Sequence, residues 1–340
     1  MLSTDGIIKT CVSNFLQFSS KIIRYFHSCV YSDIDADLVY EFVKQVSQTD
    51  GSAFDLDVVS QYIENPQFVE QTIIESILET QNLDLDVNYL SVYTRQMNAT
   101  GIALEEDKAV VVDELLTYTA LSFFLTVFSL AYDSGIENFT RCIKNCIVLL
   151  DLQGKKHEIG VHSLKDIDLM ISLPPNIIHL AMDSFWTAWT FIIGHELYHI
   201  KSKNSGTSSL QEELDADAYG YKVLIGMIEA QKQKRIPTEI SIFYEDYYLS
   251  PVMLFEYYCF LDLYRSLCGE TVEYTDYPSP QQRQEQLFCL FDSIPDDFHT
   301  EVGNELLNHF LNVVEILKEQ IVLKKKLSKL EIPAEEKLKH

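Results

Sequence analysis

His195, Glu196 and His199 lie in the run Gly194-His195-Glu196-Leu197-Tyr198-His199. Residues four apart on an α-helix sit one above the other, so both imidazoles can bind one ion. Imidazole nitrogen suits Zn2+, and Glu196, about 100° round the helix from His195, can reach a water on an open coordination position. A catalytic zinc takes three protein ligands and keeps a fourth place for water, which calls for another His, Asp or Glu on a following helix. Beyond His199 the chain reads Glu212-Glu213-Leu214-Asp215-Ala216-Asp217. Glu213 and Asp217 are four apart, so Glu213 is the expected third ligand and Asp217 the carboxylate that orients a ligand histidine through its free ring N–H. Glu212 is the neighbour that a helix offset by one residue would substitute, but it lacks that pairing with Asp217. Asp215 reads as a solvated neighbour, and Tyr198 and Tyr219 as packing aromatics.

The elements that must hold these residues can be read around them. A helix is expected from about Ser184 to Lys201, with Asp183 accepting from its first-turn amides, and the Lys201–Ser209 stretch is a turn into a second helix. Lys108-Ala-Val-Val-Val-Asp113 suits a strand and leads into the apolar run Leu115–Tyr132. His157 to Leu173 reads as a second strand-like region before Pro174-Pro175, and its His157-Glu158 with His162 has the wrong spacing for a helical metal pair. Ser250-Pro251 opens a helix that Cys268-Gly269 closes, and Glu301 to about Leu330 forms a long amphipathic helix. Before Gly101 the chain reads as short helices with polar joints, and its acid-rich snippets Asp33–Asp37 and Asp84–Asp86 are caps and turns rather than calcium loops. The expected fold is a mostly helical α+β protein. It comprises a helical N-terminal domain over 1–100, a central domain with a small sheet and the active-site helix over 101–290, and a C-terminal helical segment over 291–340.

Composition narrows the partners. With 51 acidic against 26 basic residues and a formal net charge of −25, the surface repels phosphate backbones and anionic lipid, so nucleic acid is excluded as the main partner. Apolar residues at 47% and charged residues at 23% describe an ordinary folded chain. The seven cysteines are scattered and odd in number, which fits reduced thiols; Cys142 and Cys146, four apart without a nearby histidine, read as core. Asp5 precedes any basic residue and no cleavable apolar stretch follows, so a cytoplasmic location is expected. Leu115–Tyr132 carries no charge but is diluted by Thr and Ser and flanked by acids instead of Lys or Arg. It is expected to be a buried core helix, without stable membrane insertion.

The pair HELYH and ELDAD resembles the gluzincin peptidases with an HExxH and ExxAD signature, such as HtpX-like and CAAX-prenyl-protease-like enzymes. The resemblance implies that His195, His199 and Glu213 bind Zn2+, that Glu196 is the general base and that Asp217 supports a ligand from behind. Tyr277-Pro278-Ser279-Pro280-Gln281-Gln282-Arg283 is similar to the HPxxxxR segment of those enzymes, with Tyr277 in place of His. A tyrosine hydroxyl at 277 could donate to a developing oxyanion, and Arg283 would partner an acidic residue near the site. Without convincing spans, the chain looks more like soluble relatives, including Lit-like and ImmA/IrrE-like bacterial peptidases, which act on particular proteins in phage defence or repressor cleavage. The expected activity is therefore zinc-dependent hydrolysis of peptide bonds in an intracellular protein or peptide substrate. Its restraint would fall to a regulatory protein partner or to the first hundred residues gating the cleft. A catalytically silent metal-bearing regulatory protein and a zinc hydrolase of a non-peptide amide or ester are the competing readings.

Overall fold

The computed structural model of the chain describes residues 68–92, 99–104, 107–154, 175–202, 209–233, 245–275, 277–292, 294, 298 and 300–331. Most of the expected N-terminal domain, the 157–173 stretch with His157 and His162, and residues 203–208 of the turn expected over Lys201–Ser209 lie outside these residues. In chain order the elements are α1 (Phe68–Thr80), β1 (Asn88–Val92), β2 (Ala99–Leu104), β3 (Asp107–Asp113), α2 (Glu114–Tyr132) and α3 (Ile136–Gly154). There follow α4 (Pro175–Ser202), α5 (Leu210–Lys232), a short 3-10 turn at Glu245–Tyr247, α6 (Ser250–Leu267), α7 (Pro280–Phe291) and α8 (Glu301–Glu331). The described protein is α+β and mostly helical, with one small sheet.

That sheet has the order β1-β3-β2, with β1 parallel and β2 antiparallel to β3. Ala109, Val110, Val111 and Val112 are all buried, as expected of a central strand covered on both faces, whose sequence is a continuous apolar run without alternation. Among the described residues β2 is an edge strand, and it lies against α4.

α2 is the apolar helix whose membrane potential the sequence raises. No helix among the described residues is long and apolar enough to cross a membrane, and α2 is instead a core element. Its Phe123, Phe124 and Phe128 pack around Phe310 of α8 at 5.4–6.1 Å between ring centroids, and Phe124 meets Phe185 of α4. Two of the hydroxyls that dilute it are satisfied inside the fold: Thr126 donates to the Ser122 carbonyl, and Thr119 shares a hydrogen bond of 2.7 Å with the Tyr257 hydroxyl of α6. One buried apolar cluster runs from Ile73 of α1 through the sheet and α2 to Ile321 of α8.

One boundary differs from the sequence expectation. The central helix α4 starts at Pro175, not near Ser184, so Asp183 lies inside it and caps nothing. Proline suits the first helical turn because its missing N–H would be unpaired there anyway, and Ile177, Ala181 and Phe185 continue a buried stripe at four-residue spacing. The end of α4 at Ser202, the span of α2 and the limits of α6 and α8 agree with the sequence reading. Gly269, with φ of 87°, follows the C-cap of α6 in the left-handed region that a side chain disfavours.

Candidate metal centre

Two helices bring the site together, and two glycines let them do so. A Cβ on Gly220 of α5 would stand 2.7 Å from the Phe191 carbonyl oxygen and 3.0 Å from the His195 amide nitrogen of α4. A Cβ on Gly194 would stand 3.0 Å from the Gly220 Cα. The crossing therefore excludes side chains at both positions, which explains glycines in helix interiors where each costs about 1 kcal/mol against alanine. Glu213 and Asp217, on the turns of α5 before Gly220, are thereby held beside His195. Upstream, Ser209 caps α5 by accepting from the Glu212 amide while the Glu212 carboxylate accepts from the Ser209 amide. This capping box assigns the two adjacent acids: Glu212 faces outward to close the helix end, and Glu213 turns inward and is buried.

The His195 Nε2 atom lies 3.2 Å from His199 Nε2 and 3.3 Å from Glu213 Oε2, and His199 Nε2 lies 3.5 Å from Glu213 Oε1. Three donor atoms from buried or nearly buried side chains converge on one point, and the group could hold a metal ion. The Glu196 carboxylate borders the same point, with Oε1 at 4.0 Å from His195 Nε2, and its Oε2 accepts a hydrogen bond of 2.6 Å from the Gly101 amide of β2.

Behind His195 the charges are fully paired. Its Nδ1 is 2.9 Å from Asp217 Oδ1, and Arg283 of α7 grips Asp217 with two nitrogens, Nε at 2.7 Å from Oδ2 and Nη2 on Oδ1. Asp217 is completely buried, and burial alone would raise its pKa. The Arg283 charge and hydrogen bonds, with those of His195, win and hold the carboxyl below its ordinary range. The guanidinium in turn lies over the Phe255 ring at 4.5 Å. Burial likewise opposes the imidazolium of His195, but hydrogen bonds to Asp217 and Glu213 and the charge of Glu196 outweigh burial and Arg283, pushing its pKa up to about 9.

The sequence-predicted residues therefore divide. His195, Glu196, His199, Glu213, Asp217 and Arg283 form one connected group, whereas Tyr277 is 52% exposed and has no hydrogen bond or ion pair to them. The tyrosine that shares the field of the site is Tyr258 of α6. Burial, first, and the charges of Glu196 and Asp217 push its hydroxyl up to about 12 against the pull of Arg283. The sequence offered no signal for it beyond an aromatic-rich helix. Gly101 was also missed: its spacing to Glu196 is non-local, and only a hydrogen bond across the fold connects them. Tyr198 and Tyr219 pack as tilted rings with centroids 5.8 Å apart, and Asp215 takes a hydrogen bond from Gln211 at the surface. Cys142 and Cys146 are both buried free thiols.

No family model matches this chain, and no curated protein or solved structure matches it either.

Proposed function

We propose that the chain is a zinc-dependent peptidase, a reading carried by the close approach of the three ligand side chains. A tetrahedral zinc with bonds of about 2.0–2.1 Å has ligand-to-ligand edges of roughly 3.3–3.4 Å. The shortest approaches here, 3.2 Å between the two histidine nitrogens and 3.3 and 3.5 Å from them to the two different oxygens of Glu213, lie close to that edge length. The chemistry of the donors agrees. With the His195 Nδ1 proton directed to Asp217, Nε2 faces His199 and a buried carboxylate, where a metal ion could take the place of the Nε2 proton and neutralise the carboxylate. Zinc held there would acidify a coordinated water and polarise a carbonyl. Glu196, beside the ligand triangle without belonging to it, is placed to accept the proton of the attacking water and return it to the leaving amine. A purely structural metal site would have no use for that carboxylate. Asp217, held by Arg283, fixes the tautomer and orientation of His195.

A polypeptide substrate is supported by the edge strand. Because the Gly101 amide points to Glu196 and away from β3, the polar groups of Ala99 and Ala103 and the Gly101 carbonyl also point to the outer edge of β2 next to the base, the Gly101 amide itself being taken by Glu196. An extended chain added to such an edge takes main-chain hydrogen bonds without regard to its sequence. The resemblance of HELYH and ELDAD to gluzincin signatures supports the same reading, and a cytoplasmic protein substrate, in phage defence or regulated proteolysis, remains part of the proposal.

The test is metal content by mass spectrometry together with cleavage of casein. Wild type and Glu196→Gln should each hold about one zinc per chain, Glu213→Ala should lose most of it, and Glu196→Gln should cleave about 100- to 10,000-fold more slowly than wild type. A wild-type protein that stays metal-free after zinc is supplied would sink the reading at its root.

A further inference from the structure

Resting on the peptidase reading, we propose that Gly101 is a positioning residue of the site: its backbone amide holds the Glu196 carboxylate beside the metal ligands, and only a residue without a side chain can bring it there. The hydrogen bond runs 2.6 Å from the Gly101 nitrogen to Glu196 Oε2, between residues 95 apart in sequence. A Cβ on Gly101 would lie 2.3 Å from the Glu196 carbonyl oxygen and 3.2 Å from Ile200 Cγ1. The first contact is with helix backbone, which cannot swing aside as a side chain could. β2 therefore rests on α4 itself, one turn of which carries both the base and Ile200.

The pairing of the sheet makes this amide available. Gly101 stands opposite Val110 of β3, and its amide goes to Glu196, so the pair belongs to the non-hydrogen-bonded class of the antiparallel ladder. No ladder bond is given up to hold the carboxylate. Glu196 is nearly buried, at 6% exposure, where a carboxylate without a donor is costly, and this amide supplies one at the short distance typical of charged acceptors. Its other oxygen, at 4.0 Å from His195 Nε2, is left facing the ligand triangle. The strand that an extended substrate would lie along is thus the same strand that aims the base.

Gly101 can be watched directly, because it is the only glycine in the chain that follows a threonine. Carbonyl-13C threonine and 15N-glycine labelling of the full-length protein yields a single correlated amide signal. That amide proton should stand downfield in wild type and move upfield in Glu196→Ala; an unchanged position would overturn the proposal whether or not the protein cleaves anything. On casein, Gly101→Ala should lower kcat by about 100-fold, the scale of a 1 Å misplacement, with zinc content and KM close to wild type. A folded, zinc-loaded Gly101→Ala that keeps wild-type kcat would overturn it equally. If Gly101→Ala fails to fold, the amide shift decides alone. A wild type that binds no zinc and leaves casein intact would remove the peptidase reading, while the amide shift still reports whether Gly101 holds Glu196.

Discussion

Along α4, the stretch around Phe185 and Trp189 and the stretch around His195 and Glu196 are buried to a similar degree by opposite means. The first is held by shape. Phe185 stacks on Trp189 at 5.1 Å and meets Trp186 edge-on at 5.2 Å, and polar atoms here go unserved: the Trp189 indole N–H and the Ser184 hydroxyl have no partner among the described residues. The second is held by direction, since His195, Asp217 and Arg283 each take a defined partner. Apolar contact tolerates an orphaned donor when enough area is buried around it, whereas a charged group at the other end cannot lose its partner without exposing the next one to the same loss.

The sharpest way to test that division is Trp189→Ala. It should destabilise the protein by about 3–5 kcal/mol in urea unfolding, yet leave zinc stoichiometry at the other end of the helix intact in the fraction that remains folded. If metal is lost in proportion to stability, the two halves are one cooperative unit and the contrast fails.

Next in size is the response to zinc itself. At a free concentration a hundredfold above its dissociation constant, zinc should stabilise the protein by about 2.7 kcal/mol, measured as the shift in unfolding between zinc-loaded and chelator-treated samples. The pH dependence follows from His195, whose metal-free folded pKa of about 9 exceeds its ordinary value of 6.5. In the metal-free protein its contribution is fully present below about pH 6.5 and is lost as pH rises through about 9. Zinc takes the place of that proton, so the gap between loaded and metal-free samples should widen across the same interval. A gap that narrows with rising pH would mean that His195 is not a ligand.

Asp217→Asn should act more gently, weakening zinc binding about 10- to 100-fold without abolishing it, since the ligands stay in place while the carboxylate behind His195 is lost. Competition with a zinc-chelating dye would read this directly. A loss as complete as that of Glu213→Ala would instead make Asp217 a ligand.

How much of this was legible beforehand depended on range. His195, Glu196 and His199 lie within one helical turn, and Glu213 and Asp217 within another, so spacing alone predicts which side chains share a face. The capping box that turns Glu212 out and Glu213 in is local as well. What spacing does not carry is the meeting of segments distant in sequence. The amide of Gly101, the Tyr258 hydroxyl and the Gly194–Gly220 crossing exist only once β2, α6 and α5 have packed on α4. Tyr277 shows the converse. A motif position read by similarity lands on an exposed turn, although Arg283, six residues on, reaches Asp217. The early start of α4 was hidden because Asp183 has the side chain of a cap, and only the apolar stripe from Ile177 to Phe185 reveals that the helix is already under way.

Asp183 yields the smallest effect and tests the apolar half of α4 on its own terms. Burial alone pushes its carboxyl up to about 7, with no cation among the described residues to hold the charge, unlike Asp217 at the other end. Between its ordinary value of 3.8 and about 7, the unfolded chain gives up this proton while the folded protein keeps it. Its contribution to stability is thus complete below 3.8 and lost as pH rises through 7, where the partly buried carboxyl must ionise. Asp183→Asn removes the titration while keeping nearly the same shape. Its urea midpoint should exceed that of wild type more at about pH 8 than at about pH 5.5, because the sign is set by burial alone. A larger advantage at the lower pH would reveal a cationic partner for Asp183 and would make the first half of α4 polar in the same sense as the second.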